Sequence, residues 1–226
     1  MSTEIARYVD HTLLAPHATK ADVDKLCKEA AENNFYAVCV NPCFIKQAVR
    51  TLRDSKVQVA TVIGFPLGAN TTDVKVKETE HAIADGADEI DMVINIGALK
   101  SGDFDYVTEE ITAIVKAAND HPVKVIIECD LLTDDEKVQA VHACLKANAF
   151  MIKTSTGFVK DGKGATVDDV KLFRKIIGKS KLGIKASAGI RDKATAVALI
   201  EAGADRLGTS SGVSIVQGST AGAAAY

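Results

Sequence analysis

"TDVKVKETEHAIADGADEIDMVIN", residues 72–95, holds a helix, its stop signal and a strand in one run, and the fold follows from how often that unit recurs. Thr72 is a helix-capping residue type, and the "DVKVKETEHAIADG" behind it spaces its apolar residues at a helical period with charged positions outside. Gly86 suits the left-handed position just past a helix end. "DEIDMVIN" (88–95) then reads as a buried strand. The phrase "ADGADEID" (84–91) returns as "EAGADRLG" (201–208), with Gly203 in the place of Gly86. Comparable apolar runs stand at 8–14, 36–41, 57–65, 123–129, 150–155, 182–187 and 205–210, which makes eight strands with 88–95. Thr19, Thr133 and Thr166 open further helices between them.

Strands alternating with helices imply a parallel sheet covered on both faces, whose strands become near-continuous apolar runs. Eight such units in 226 residues suit a closed barrel. The first strand is not followed by the G-x-G-x-x-G of a doubly wound sheet. The expected fold is therefore α/β, a single (β/α)8 TIM barrel forming one domain over 1–226, with a flexible tail, "GSTAGAAAY", from about 218 to 226.

Composition narrows the function. A net charge of −3 with interspersed signs gives no basic stripe for nucleic acid. No apolar run approaches the roughly 18 residues that span a bilayer, and the N-terminal residues lack a signal-peptide pattern. Five scattered cysteines read as reduced thiols, so a cytoplasmic location is expected. Five histidines without i, i+4 pairing, and Cys39 with Cys43 lacking a second pair, give no metal site.

Three strands carry ionisable residues where an apolar side chain is expected: Asp91 in "DEIDMVIN", Lys153 in "FMIKTS" and Lys185 in "LGIKAS". Catalytic residues of barrels sit at the C-terminal strand ends, where all three are expected. A structural ion pair would explain one lysine with Asp91, but it needs no second cation. Adjacent strands lie about 5 Å apart, and two cations at that spacing repel by about 3 kcal/mol at an effective dielectric near 20. That corresponds to about two pKa units, so one of the amines is expected to be neutral near pH 7. A neutral buried lysine forms Schiff bases with carbonyl compounds, and Asp91 or the second lysine can relay protons. Aldolase chemistry without metal or other cofactor follows. The glycines and serines of "ASAGIRD" and "LGTSSGVSIVQG", namely Gly189, Gly208, Ser210 and Ser211, stand where barrels bind phosphate.

These segments, with "YVDHTLL", "VIGFPLGAN", "MIKTSTGF" and "IKASAGIR", resemble the deoxyribose-phosphate aldolase family along the whole chain. The resemblance implies a class I aldolase that reversibly cleaves 2-deoxy-D-ribose 5-phosphate to acetaldehyde and D-glyceraldehyde 3-phosphate, so its partners are a sugar phosphate and small aldehydes. It implies Lys153 as the imine-forming lysine, Lys185 as its cationic neighbour and Asp91 as the acid/base working through water. It adds Thr156 and Gly157 to the substrate contacts, Asp10, Thr12 and Cys39 to the pocket, Tyr226 as a C-terminal proton-transfer aid, and a homodimer. Departures from the family pattern are Ala188 in place of a glycine, Phe158 in place of a lysine, which leaves Lys160 as the nearby cation, and Cys129 with Asp130. Two rival readings stay open: an isomerase or epimerase using Asp91 and a lysine without a covalent intermediate, and a non-catalytic sugar-phosphate sensor.

Overall fold

Strand pairing runs in strict chain order. The computed structural model describes residues 5–218, so Tyr226 and the tail beyond Gly218 lie outside the described residues. Strands β1 (Val9–Leu13), β2 (Ala37–Val40), β3 (Gln58–Ile63), β4 (Glu89–Val93), β5 (Val123–Ile126), β6 (Met151–Lys153), β7 (Gly183–Ser187) and β8 (Arg206–Thr209) are all parallel, and β8 closes on β1. This is the (β/α)8 barrel that the alternation predicts.

Outside the barrel run α1 (Lys20–Glu32), α2 (Ile45–Leu52), α3 (Thr72–Ala84), α4 (Ile96–Lys100), α5 (Phe104–Ala117), α6 (Asp134–Lys146), α7 (Val167–Ile177), α8 (Lys193–Glu201) and the short α9 (Gly212–Gln217). Thr19 and Thr133 form capping boxes with Asp22 and Glu136, and Thr166 accepts from the Asp169 N–H. Thr72 differs from its expected role. Thr71 takes the extended N-cap conformation, while Thr72 is the first helical residue and donates its hydroxyl to Tyr106. Gly86 and Gly203 hold φ of +100° and +114°, the conformation that lets the chain leave the helix and enter the next strand.

Side-chain alternation divides each strand between two environments. Ile90 and Met92 of β4 join the apolar layer between sheet and helices, whereas Glu89 and Asp91 face the barrel interior. That interior is itself divided. Leu14, Cys39, Ala60 and Val62 form a small apolar cluster near β1–β3, with Phe65 and Phe158 packed against it. Beside it, the interior holds a set of buried charged side chains. A separate buried pair lies outside the barrel, where Lys75 of α3 donates to Glu110 of α5 at 2.7 Å and to the Val93 carbonyl at 2.8 Å. Glu110 also accepts from the Asn95 N–H, so this pair pins the C-terminal end of β4.

Candidate active site

The charged half of the interior is a ladder of alternating sign. At its base the Arg206 guanidinium lies 3.3 Å from the ring centroid of Tyr36 and bonds to Glu89 and Asp10. Lys124 bridges Glu89 at 2.6 Å and Asp91 Oδ1 at 2.7 Å. Lys185 bonds to Asp10 and to Asp91 Oδ2, the latter at 2.7 Å. Lys153 ends the ladder, also 2.7 Å from Asp91 Oδ2. Lys153 and Lys185 are register partners on β6 and β7 and share one carboxylate oxygen, so their nitrogens lie within twice that distance of each other. The crowding that the sequence implies is present.

Two expectations are corrected here. Only Lys153 ends its strand; Asp91 and Lys185 sit in mid-strand and are fully buried. Asp91 is also not the sole counter-charge, because four cations (Lys124, Lys153, Lys185, Arg206) face three carboxylates (Asp10, Glu89, Asp91). Burial disfavours the charge on Lys185, but Asp10 and Asp91 outweigh it and raise its pKa above the usual lysine value. Lys185 is therefore not the neutral amine. Lys124 is raised in the same way, by Asp91, Glu89 and Asp10 acting against burial. Burial likewise opposes ionisation of Asp91, yet Lys124, Lys153 and Lys185 hold it well below the ordinary carboxylate range.

The sign of the pH dependence follows. Asp10, also depressed because Lys185, Lys124 and Arg206 overcome its burial, contributes stability that is present above its unfolded pKa of 3.8 and lost as pH falls through the folded value. The stability difference between wild type and Asp10→Asn, from urea unfolding, is expected to stay constant from about pH 5 to 9 and to shrink as the pH falls below 3.8. A difference that changes steadily across the neutral range would show that Asp10 is not the paired anion of this network.

Above the ladder opens a cleft of about 700 Å3, and Lys153 is the one cation of the ladder that lines it. Thr12, Thr156, Gly157, Gly189, Gly208 and Ser210 line it too. Asp10, Asp91 and Lys185 lie beneath it, and Cys39 is buried in the apolar half, where burial raises its thiol pKa. Ser211 stands apart from the lining as the N-cap of α9, with its N–H held by Thr209 Oγ1. Gly208 is needed for close approach: a Cβ there would lie 2.9 Å from Ser187 Cβ and 3.1 Å from Lys185 Cε. Thr156 gives both its N–H and its hydroxyl to buried Glu128. Lys160 and Arg191 bring positive charge to the same cleft.

Sequence reasoning did not single out Lys124, Glu89 and Arg206. Their signal was parity: each lies two residues from another inward-facing position, Glu89 from Asp91, Lys124 from Ile126, and Arg206 from Gly208. Ala188 adopts φ of +68° beside Gly189 at +75°. Left-handed backbone costs an L-residue about 1–2 kcal/mol, offset by the greater unfolded-state freedom of glycine, about 0.4–1 kcal/mol. Ala188→Gly is therefore expected to stabilise the protein by about 0.5–1 kcal/mol in urea unfolding. A loss of stability would mean that the Ala188 methyl makes contacts worth more than the strain.

Comparisons with known proteins identify the family and the fold. The profile of the DeoC/LacD family aldolases matches residues 5–223. A deoxyribose-phosphate aldolase of Bdellovibrio bacteriovorus is 55% identical over 215 residues, covering 95% of this chain and 96% of its own. One of Thermococcus gammatolerans is 56% identical over 219 residues, with 95% and 96% covered. The solved tetrameric deoxyribose phosphate aldolase of Aeropyrum pernix superposes with a TM-score of 0.89 at 34% identity, over 96% of this chain and 91% of that one. With a matching profile over nearly its whole length and an ammonium ladder that surfaces in the cleft at Lys153, the chain belongs to the DeoC/LacD family of aldolases.

Proposed function

We propose that this chain is a class I aldolase that reversibly cleaves 2-deoxy-D-ribose 5-phosphate to acetaldehyde and D-glyceraldehyde 3-phosphate through a Schiff base on Lys153. The observation that carries the reading is the position of Lys153, the ladder's one opening onto the cleft and in register with Lys185 on a shared carboxylate oxygen.

Lys124 and Lys185 are held charged by their carboxylates and lie beneath the cleft, which leaves Lys153, the ladder residue that lines the cleft, as the amine that meets the substrate. The free amine attacks the substrate C1 carbonyl, and loss of water gives an iminium. The C2–C3 bond then breaks with its electron pair moving into the iminium, while the C3 hydroxyl loses its proton and becomes the aldehyde of glyceraldehyde 3-phosphate. The resulting enamine takes a proton at C2, and water releases acetaldehyde and regenerates the amine. Asp91, held ionised at rest, is the proton acceptor of this cycle through water, and Lys185 keeps the surroundings positive. Gly157, Gly189 and Ser210, with Lys160 and Arg191, hold the phosphate at the rim, and Thr156 is positioned there by Glu128. Gly208 gives the chain room over Lys185, Thr12 borders the substrate, Asp10 anchors Lys185, and Ser211 contributes through the start of α9.

Reduction with borohydride in the presence of acetaldehyde tests the reaction class and the residue together. An N-ethyl group is expected on the peptide containing Lys153. Active protein without that adduct would replace the Schiff base by non-covalent proton transfer.

The proposal extends to a single domain over 1–226 and to a homodimer as the smallest assembly, on the precedent of the tetrameric Aeropyrum pernix protein. Light scattering coupled to gel filtration tests the latter. No helix among the described residues is long and apolar enough to cross a membrane. The five cysteines are all unpaired, which supports a reducing, cytoplasmic setting.

A further inference from the structure

Four hydroxyl side chains crowd the ends of β6 and β7, and three of them are engaged with the protein. Thr154 Oγ1 donates to the Ser187 carbonyl at 3.1 Å, Thr156 Oγ1 donates to Glu128, and Ser187 Oγ donates to the Ser155 carbonyl at 2.6 Å. The fourth is Ser155. Its residue is 1% exposed, it lines the cleft, and its Oγ has no hydrogen-bond partner among the described residues. Its backbone is fixed, because the N–H and carbonyl both bond to Ser187 Oγ. A buried hydroxyl without a partner costs a fold about 1–3 kcal/mol. An alanine would remove that cost, so the hydroxyl answers to something that enters the cleft.

Its position says what that is. Ser155 lies two residues beyond Lys153, just past the C-terminal end of β6, and both line the cleft. Lys153 takes the carbonyl end of the substrate, and the rim takes the phosphate. The middle of the carbon chain lies between them, with two hydroxyls: one on the carbon where the bond breaks, whose proton leaves, and one on the next carbon, unchanged in both directions. No base contacts Ser155 Oγ, so it is suited to a fixed hydrogen bond and not to proton removal.

We propose that Ser155 Oγ binds the hydroxyl one carbon beyond the breaking bond, making Ser155 the residue that selects acceptor aldehydes bearing an α-hydroxyl. This rests on the Schiff-base reading above and deepens it. A site built to pair a hydroxyl discriminates against the analogue without it, because its own polar group is then left unpaired.

The test compares wild type with Ser155→Ala in acetaldehyde addition to glyceraldehyde 3-phosphate and to 3-oxopropyl phosphate, which lacks the α-hydroxyl. The variant is expected to lose about 10- to 100-fold in kcat/KM with the first acceptor and to stay within about 3-fold with the second. Its borohydride adduct at Lys153 should be undiminished and its Tm equal or higher. An equal loss with both acceptors, an unchanged preference, or a lowered Tm would overturn the assignment while leaving the Schiff base intact. If wild type itself gives no Lys153 adduct, the Schiff-base reading falls, and this proposal falls with it.

Discussion

Lys153→Met is expected to reduce retro-aldol turnover by at least about 10^4-fold, while the protein remains as stable as wild type or becomes more so. The activity loss is the ordinary consequence of deleting a covalent nucleophile. The retained stability is the less obvious half, since removing one member of a buried ion pair commonly costs about 3–5 kcal/mol. Lys153 is an exception because its partner Asp91 does not depend on it alone. Four cations bond to three carboxylates in the ladder, and Asp91 keeps Lys124 and Lys185 when Lys153 is gone. The substitution therefore leaves Asp10, Glu89 and Asp91 each still paired, and methionine fills most of the same volume. Steady-state assay and urea unfolding of the same preparation separate the two effects. An inactive variant that also unfolds early would show that Lys153 is needed for the fold and would weaken its assignment as the nucleophile.

Asp91→Asn should behave in the opposite way. The change is nearly isosteric, but it leaves Lys124, Lys153 and Lys185 around a neutral amide whose NH2 cannot accept from an ammonium. Three ammonium groups are then left around an uncharged side chain, two of them, Lys124 and Lys185, fully buried. A loss of about 3–5 kcal/mol is expected, a large share of the 5–15 kcal/mol that typically holds a domain together. Turnover of the folded fraction should also drop about 10^2- to 10^4-fold, as for loss of a general base. Equilibrium unfolding in urea checks the first figure, and activity normalised to folded protein checks the second. Wild-type stability in Asp91→Asn would mean that the ladder re-pairs through Asp10 and Glu89, and that Asp91 is not its keystone.

How far each part was legible depends on the range of the interaction behind it. Thr19, Thr133 and Thr166 act within three residues of themselves, and they cap the helices assigned to them. Thr72 did not, because two adjacent threonines offer the same chemistry and only the backbone angles of Thr71 decide between them. Lys153 stood out since an ammonium in an apolar strand is anomalous wherever it occurs. Its neighbours were harder to see. Lys124 sits in "VKVIIEC", where one polar residue among apolar ones passes for ordinary alternation, and Arg206 opens its strand beside Asp205, where a charged residue is unremarkable. Glu89 was masked by Asp91 two residues on. Ser155 carries no signal in sequence at all, since its distinction is the partner it lacks.

Periodicity, capping residues and left-handed glycines are properties of a few consecutive residues, so the sequence alone determined the eight strand-helix units, the closed parallel barrel and the presence of two lysines in its strands. The charge balance was decided by tertiary structure, because the partners come from far along the chain: Lys153 and Asp91 are 62 residues apart, Lys185 and Asp10 are 175, and Arg206 and Asp10 are 196. Barrel closure brings them within hydrogen-bond distance and leaves one ammonium facing the cleft. Electrostatic energy depends on separation in space and on exclusion of water, and neither is written in residue order.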